Sequence, residues 1–425
     1  MAGIIPIRGW RYGSGIKNLA AVVTPPYDVI DRAAQKSFYA RHPNNIIRLE
    51  YGAALPGDDD TDNRYTRAAE FFKAWRREGV LKRDAESAFY FYEQTFTLGG
   101  DRRTRRGFFC GLELEPYGRN VIPHEETLSA AKVDRARLIQ TCEANFSPIF
   151  ALYSDPQQVV ERLFTTISRR STPACDFIDE EGQTHRLWVV TDKDTVAAVT
   201  ALLAGCKVLI ADGHHRFETA LHYSIQRRPG GNPPEKAPYD YILTFLVNTY
   251  DPGLVILPTH RIVKTPADFR LDRFLSAVKE SFVVTEIDGR MPLPNHRYAF
   301  GLYTGNKRSF NLVLKEGLDP AGLLHGAKPP VWKRSSVAVL HALVLDHLKI
   351  GPSECTAGEM ITYTHDPAEA AMLVDTAVWD LAFLLYPPGI DELVTVAQAG
   401  EKMPQKSTYF YPKAPTGLVV YSFAE

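Results

Sequence analysis

The sequence predicts a mixed α/β protein with α+β features, on three observations. Strand-like runs at 89–98 and 107–115 flank a glycine-rich loop at 99–106, which is typical of an antiparallel pair. From residue 148 onward, short apolar runs alternate with helical patterns, which is typical of an α/β sheet. The chain has 425 residues, of which 45% are hydrophobic and 23% charged, so it can bury a sizeable core.

Before the alternation that begins at residue 148, the sequence predicts two helices and the two hairpin strands. An amphipathic helix is expected at 64–79, because its apolar residues share one face: Ala68, Phe71, Phe72 and Trp75. A helix at 129–143 and a strand at 148–153 follow the hairpin strands. The denser α/β pattern then predicts strands at 176–179, 184–190 and 207–211, helices at 195–203 and 217–226, and a strand pair at 241–249 and 254–257.

Beyond residue 264 the pattern changes to a smaller α+β arrangement. It predicts a helix at 272–281, a strand at 283–286 and a hairpin at 298–303 and 309–314. Three parts are therefore expected: an N-terminal region 1–264 with the catalytic core, a small insert or second domain 265–335, and a C-terminal α/β region 336–425. The last part contains helices at 337–348, 368–374 and 391–399 and strands at 360–364, 380–385 and 417–423.

Composition excludes several functional classes. A net charge of −1 gives no general attraction to nucleic acid or to acidic lipid. No apolar run is long enough for a signal peptide or a membrane span. The five scattered cysteines fit reduced thiols better than a disulfide framework or a Cys-x-x-Cys zinc site. We therefore expect a cytoplasmic protein that binds neither nucleic acid nor membrane.

The segment 207–220 carries the strongest chemical signal. It reads as a buried strand, a tight turn and a helix that opens with His214, His215 and Arg216. Such a helix start presents backbone N–H groups to an anion, and Gly213 allows close approach. Arg216 can fork onto two phosphate oxygens, and Asp212 stands at the strand end, where α/β folds carry their chemistry. The simpler alternative is a turn in which Asp212 only caps the helix.

Two further patterns compete with this interpretation. A zinc site could use His214 and Glu218, which are four residues apart, but no His-Glu-x-x-His motif is present. Residues 400–407 nearly fit a P-loop, but Gln405 occupies the position of the second glycine and a helix precedes the segment where a strand is needed, which excludes that motif. The segment 402–413 remains a loop rich in Lys, Ser and Thr. Lys406 and Lys413 remain candidates for phosphate contact, against the alternative of an ordinary surface loop.

Three shorter segments have chemistry-bearing residues, but each taken alone favours a structural role. His124 precedes an acidic helix start and could act in acid–base work. Tyr27 and Asp28 follow a stiff Pro-Pro loop. Arg48 and Glu50 lie in a segment at 44–50 that reads as a strand flanked by polar residues.

Taken together, these segments resemble one known family. The matching motifs are Pro-Pro-Tyr-Asp-Val (25–29), Asn-Ile-Ile-Arg (45–48), Pro-His-Glu (123–125), Asp-Arg (134–135), Ser-Pro-Ile-Phe (147–150), Ala-Asp-Gly-His-His-Arg-Phe-Glu-Thr-Ala (211–220) and Met-Pro-Gln-Lys-Ser-Thr-Tyr-Phe-Tyr-Pro-Lys (403–413). The set resembles the bacterial domain-of-unknown-function 1015 family, which is related to the ParB/sulfiredoxin fold and its free-serine kinases. Region 265–335 carries little of this resemblance.

The resemblance implies a ParB/sulfiredoxin-like catalytic core and transfer of a phosphoryl group to free L-serine, with pyrophosphate or a nucleotide as donor. It implies phosphate-binding roles for Gly213, His214, His215 and Arg216 and substrate-binding roles for Tyr27, Asp28, Arg48 and His124. From the chemistry, Asp212 is the first candidate for the base and Glu50 the second, and Mg²⁺ is expected on the donor oxygens. A metal-assisted phosphate-ester hydrolase and a non-enzymatic, nucleotide-binding ParB-like regulator are the alternatives.

Overall fold

A computed structural model describes residues 3–125, 129–228, 235–288, 291–305, 308–351 and 360–424. The chain divides into two compact units. The first consists of Met1–Pro123, Thr127–Leu254 and Pro412–Glu425, and the second of His124–Glu126 and Val255–Tyr411. Helices and strands are mixed in both units, so the mixed α/β class is confirmed. Among the described residues, no helix has the length and apolarity needed to span a bilayer.

The first unit is built on a mixed sheet with the strand order β6-β11-β8-β12-β5-β4-β10-β9, to which β1 adds beside β5. Its strands, together with the short pair β2 and β3 and the strand β7, are β1 Ile4–Ile5, β2 Trp10–Tyr12, β3 Leu81–Arg83, β4 Phe89–Leu98, β5 Asp101–Glu113, β6 Val121–Pro123, β7 Ala144–Asn145, β8 Ile149–Tyr153, β9 Cys175–Ile178, β10 Thr184–Val190, β11 Val208–Asp212 and β12 Tyr241–Asn248.

The helices of the first unit are α1 Arg32–Arg41, α2 Ile47–Glu50, α3 Arg64–Arg77, α4 Ser129–Cys142, α5 Val159–Arg170, α6 Lys193–Ala204 and α7 His214–Arg227, with 3₁₀ turns at Leu19–Ala21, Tyr27–Val29 and Pro238–Asp240. Apolar side chains of α5, α6 and α7 join strand residues such as Phe91 and Phe108 in one buried core. This packing fixes α7, whose first turn follows the end of β11.

The second unit contains a sheet with the strand order β15-β17-β16-β19-β14-β18 and a separate pair, β13 with β20. Its strands are β13 Val255–Leu257, β14 His260–Val263, β15 Phe282–Asp288, β16 Ala299–Tyr303, β17 Arg308–Leu314, β18 Ile361–Thr364, β19 Leu381–Leu385 and β20 Tyr409–Tyr411. Its helices are α8 Leu271–Val278, α9 Pro320–Leu323, α10 Pro330–Lys333, α11 Ser336–Leu343, α12 Pro367–Asp375 and α13 Ile390–Gln398, with a 3₁₀ turn at Leu345–Leu348.

The expected boundaries at residues 264 and 335 do not coincide with these units. Strand β14, before residue 264, and strand β19, after residue 335, are hydrogen-bonded to each other. The hairpin of β16 and β17 joins the same sheet through β19. The region 265–335 is therefore part of a larger sheet and not an insert with a sheet of its own.

Three local predictions are wrong for physical reasons. The basic segment after Gly100 is not a loop, because Gly99 and Gly100 adopt positive φ and make the turn, which lets β5 start at Asp101. The segment at 44–50 is not a strand: the Asn45 side chain accepts the Ile47 N–H, and the helical turn α2 follows. The strand at 254–257 pairs with β20, since β12 already has β5 and β8 as neighbours.

The last strand, β21 Tyr421–Ser422, belongs to the first unit and pairs with β7. The predicted strand at 417–423 is therefore shorter than expected. Backbone bridges from Val420 to Trp10 and from Thr416 to Thr24 fix the segment before it. These bridges bring the chain around residue 413 into the first unit.

A buried histidine of the second unit predicts acid sensitivity. His260 is 1% exposed, its Nδ1 accepts the Leu385 N–H at 3.1 Å, and burial together with Arg261 lowers its pKa to about 4. Because the unfolded chain binds this proton near pH 6.5 and the folded chain only near 4, stability falls as pH drops through that window, by about 1.4 kcal/mol per pH unit. We expect His260→Asn, whose Oδ1 replaces the Nδ1 acceptor, to flatten this loss in chemical-denaturation curves between pH 7 and 4. Exposed His325→Asn is the matched control, and equal slopes in the wild type and His260→Asn would contradict the prediction.

Candidate functional site

The turn between β11 and α7 requires glycine on two grounds. Gly213 has φ of 91°, a left-handed conformation, and it stands at the N-terminal end of α7. A Cβ atom there would lie 2.9 Å from Ile149 Cγ2 and 3.1 Å from both Nε and Nη2 of Arg216. The first-turn N–H groups of a helix have no acceptor within the helix. The close approach of a guanidinium to this helix start therefore concentrates positive potential beside Gly213.

Arg216 is held by protein acceptors on both terminal nitrogens. Its Nη1 donates to Ser147 Oγ at 3.2 Å and to the Pro148 carbonyl, and its Nη2 donates to Asp212 Oδ2 at 3.3 Å. The two terminal nitrogens, expected to bind two phosphate oxygens, therefore bind protein acceptors instead. The Nε atom remains: it is buried and has no hydrogen-bond partner among the described residues. Arg216 is 9% exposed, and its Nε–H lies beside Gly213, where no described residue supplies an acceptor.

Asp212 lies between two cations. Its Oδ1 is 3.4 Å from Lys413 Nζ, and its Oδ2 accepts from Arg216. Although burial alone would raise its pKa, Lys413, Arg216 and His214 lower the pKa of Asp212 to about 2. The residue at the N-terminal cap of α7 is Gly213, so the alternative in which Asp212 caps the helix is wrong. Asp212 is ionised at neutral pH and fixes the two cations around it.

The remaining polar residues of the helix start lie close by. His214 is buried and His215 is half-buried. The Glu218 carboxylate is 2.5 Å from the Lys132 ammonium, so an opposite charge already neutralises the carboxylate that the zinc alternative requires. Within the described ranges, no group of three or more His, Cys, Asp and Glu residues is placed to hold a metal ion.

Glu50 occupies a second ionic centre deeper in the first unit. Its Oε1 accepts from Arg135 Nη1 at 2.9 Å and from Ser147 Oγ at 2.8 Å. Burial raises its pKa, and the positive charges of Arg135 and Arg216 oppose that rise. Arg135 in turn pairs with Asp134, to which Tyr65 donates at 2.7 Å. A cavity beside these groups is lined by Glu50, Arg135, Ser147, Arg216 and Thr219, among others.

The two N-terminal motifs, 25–29 and 45–48, differ in their contacts with this ionic centre. The Arg135 guanidinium lies 3.8 Å from the centre of the Tyr27 ring, and that of Arg216 lies 5.9 Å away. Burial raises the pKa of Tyr27 to about 12. Asp28 is exposed. Burial opposes the charged form of Arg216, whereas the negative charges of Asp212 and Asp28 raise the pKa of Arg216. Arg48 instead donates to the Tyr39 carbonyl at 3.0 Å and packs over the Tyr39 ring.

Other residues expected at the site belong to the second unit. His124 is buried there, and its Nε2 is 2.8 Å from Thr408 Oγ1. Lys406 is exposed, and its backbone N–H donates to Glu125 Oε1 at 2.9 Å. The segment 402–413 is thus divided, since Lys413 alone of its two candidate lysines lies in the first unit and contacts Asp212.

Sequence reasoning did not assign a role to Ser147 or Arg135. Both lie in motifs that carry the family resemblance, Ser-Pro-Ile-Phe and Asp-Arg. Their contacts to Glu50 cross 97 and 85 residues of sequence, which no local pattern reveals. The signal that could have found them is their place in these two motifs.

Comparison with protein families places the chain. The sequence profile of a family described as "Protein of unknown function (DUF1015)" matches residues 4–340. The chain belongs to this family. No curated protein matches the DUF1015 chain significantly in sequence.

Solved structures give weaker likenesses to this DUF1015 protein. A conserved hypothetical protein from Pyrococcus furiosus is 14% identical, with 71% of this chain and 91% of that chain covered and a TM-score of 0.35. A free serine kinase in complex with AMP is 14% identical, with 68% and 83% covered and a TM-score of 0.32. SbnI with a C-terminal truncation from Staphylococcus aureus is 11% identical, with 71% and 84% covered and a TM-score of 0.33. Likenesses at these scores carry no weight in assigning a function.

Replacing the glycine of the turn tests the geometry of the helix start. We expect Gly213→Ala to lose about 1–2 kcal/mol from the left-handed backbone and about 1–3 kcal/mol more from the contacts with Ile149 and Arg216. Gly182→Ala is the matched control, because Gly182 also has positive φ (76°) but open space around it. Chemical denaturation measures both losses, and equal losses in the two variants would contradict the crowding inferred around Gly213.

Proposed function

We propose that this DUF1015 protein is a small-molecule kinase that transfers a phosphoryl group to the hydroxyl of free L-serine, with pyrophosphate or a nucleotide as donor. One observation carries the proposal: the buried Arg216 Nε–H without a partner among the described residues, next to the start of α7. A buried charged donor without an acceptor is costly, so a ligand that supplies the acceptor binds favourably. A phosphate oxygen is the acceptor that this position favours.

The charges around the turn support an anionic donor. Lys413 and Arg216 carry two positive charges, and Asp212 neutralises one of them. The helix start adds positive potential. Phosphoryl transfer depends on positioning and charge neutralisation more than on covalent chemistry, and this arrangement supplies both. The motif resemblance to free-serine kinases points to the same chemistry and supplies the acceptor, serine.

The proton of the serine hydroxyl needs an acceptor, and two carboxylates are candidates. Asp212 is next to the anion position and stays ionised, but with its pKa near 2 it is a weak base. Glu50 has a raised pKa and is the stronger base, but it is 2% exposed and already accepts two hydrogen bonds. Proximity favours Asp212 as the base, because geometry decides before pKa does.

A divalent cation completes the proposal. Mg²⁺ binds through one or two carboxylates together with substrate phosphate oxygens, and it keeps several waters. Asp212 is the carboxylate beside the anion position, so this donor set fits a Mg²⁺ ion that arrives with the donor. Bound there, the ion would neutralise charge on the donor oxygens. The proposed contacts of the acceptor substrate are Tyr27, whose ring centre lies 5.9 Å from the Arg216 guanidinium, and Asp28, whose negative charge raises the pKa of Arg216.

Activity and donor binding test the proposal. The purified protein is mixed with serine and Mg²⁺ and, separately, with pyrophosphate, ATP or ADP, and phosphoserine is detected by mass spectrometry. We expect phosphoserine with one of these donors. In Arg216→Lys, which keeps the charge but loses the Nε–H, donor affinity should fall about 10- to 100-fold. Arg186→Lys is the control, since Arg186 pairs with Asp176 on the surface. Absence of phosphoserine with all donors would refute the kinase proposal.

Isosteric amides distinguish the two candidate bases. We expect Asp212→Asn to lower kcat by about 10²–10⁴-fold, because an amide cannot accept the proton. Donor affinity measured without Mg²⁺ should hold or rise in this variant, since a negative charge beside the donor is removed. Glu50→Gln provides the comparison. Near-normal turnover in Asp212→Asn, with a large loss in Glu50→Gln, would transfer the role of base to Glu50.

A further inference from the structure

Ser147 joins the two ionic centres of the first unit. Its hydroxyl donates to Glu50 Oε1 at 2.8 Å and accepts from Arg216 Nη1 at 3.2 Å. The side chain is 5% exposed and lines the same cavity as Glu50 and Arg216. A serine hydroxyl has one proton and accepting lone pairs, so this pair of bonds uses both of its functions.

The backbone around Ser147 fixes the position of its hydroxyl. The residue lies in the bend between β7 and β8 and precedes Pro148, whose φ is locked and which has no N–H to pair. The Pro148 carbonyl also accepts from Arg216 Nη1. Strand β8 then continues into the central sheet beside β11 and β12. The backbone of β8 and of the bend before it therefore holds the two acceptors of Nη1, and their positions do not depend on the side chain of Arg216.

A planar guanidinium has its Nε direction set once its two terminal nitrogens are held. Ser147 and Pro148 hold Nη1, and Asp212 holds Nη2, which leaves Nε beside Gly213. Ser147 also occupies the space between Arg216 and the Glu50 carboxylate. Glu50 attracts the Arg216 charge. Without the hydroxyl, Glu50 would compete directly with Asp212 for the guanidinium and turn Nε away from the helix start.

We propose that Ser147 is a positioning residue of the anion site: it holds the Arg216 guanidinium between Asp212 and Glu50 so that Nε–H faces the ligand. This inference deepens the proposed kinase function and rests on its anion site. It assigns Ser147 to donor binding and not to the chemical step. Loss of the hydroxyl therefore raises the donor KM more than it lowers kcat.

The test measures binding of inorganic pyrophosphate by calorimetry, without serine, in four proteins: the wild type, Ser147→Ala, Glu50→Gln and the double variant. We expect Ser147→Ala to weaken binding about 3- to 10-fold, as for the loss of one hydrogen bond. The double variant should recover most of this loss, because the competing Glu50 charge is gone. Ser147→Thr, which keeps the hydroxyl, should bind like the wild type.

Ser224→Ala is the matched control, because Ser224 is also a buried serine that donates to a carboxylate, Asp240, at 2.6 Å. Thermal unfolding verifies that each variant is folded. Unchanged binding in Ser147→Ala overturns the inference, as does an equal loss in the single and double variants. If phosphoserine forms but pyrophosphate binding does not depend on Ser147, only this inference is refuted. If pyrophosphate binding depends on Ser147 but no phosphoserine forms, only the kinase proposal is refuted.

Discussion

The burial of the Arg216 guanidinium is the constraint on which the site depends. Removing such a charge from water costs several kcal/mol, which only well-placed acceptors can offset. The acceptors come from the end of β11, as Asp212, and from the bend before β8, as Ser147 and the Pro148 carbonyl. The sheet holds these segments side by side. The acceptors that the buried Arg216 side chain requires are therefore in place only when the sheet has formed around the turn.

The charges of the first unit alternate in sign away from this arginine. Each carboxylate lies between cations, which lowers the cost of burial for every member. The series contains one more cation than anion, and Arg216 Nε, which has no acceptor among the described residues, lies beside Gly213. The members in order are Lys413, Asp212, Arg216, Glu50, Arg135, Asp134 and Arg64. The network thus leaves one charged N–H donor available at the start of α7.

The local geometry of the candidate site could be predicted from the sequence, whereas most contacts between distant segments could not; Lys413, a candidate that contacts Asp212, is an exception. The strand, the glycine turn and the helix at 207–220 follow from adjacent residues, and Asp212 meets Arg216 because they are four residues apart. The error at 44–50 shows the limit of pattern reading. A strand would place Arg48 and Glu50 on one face, but in a helix they are about 200° apart. Glu50 accordingly faces Arg135, and Arg48 faces Tyr39.

Long-range partners were beyond the reach of periodicity for a different reason. The sheet order of the first unit brings β8 between β11 and β12, and this order is set by the whole core, including the helices α5, α6 and α7. The role of Ser147 arises only from that order. The helix at 64–79 and the strands at 184–190 and 207–211, by contrast, follow closely from turn residues and apolar spacing, because those signals act within one element. Helices α1 and α5 were not predicted from these signals.

The position of Lys413 has a consequence for the order in which the molecule is assembled. Its carbonyl accepts from Gln94 Nε2, a contact that joins residues 319 positions apart. Contacts of such high sequence separation form late, because the intervening loop must be closed first. During synthesis, the sheet of the first unit can form before this lysine emerges from the ribosome. Until Lys413 joins them, Asp212 and Arg216 are a neutral pair, so the positive charge that favours an anion is complete only after this long-range contact has formed.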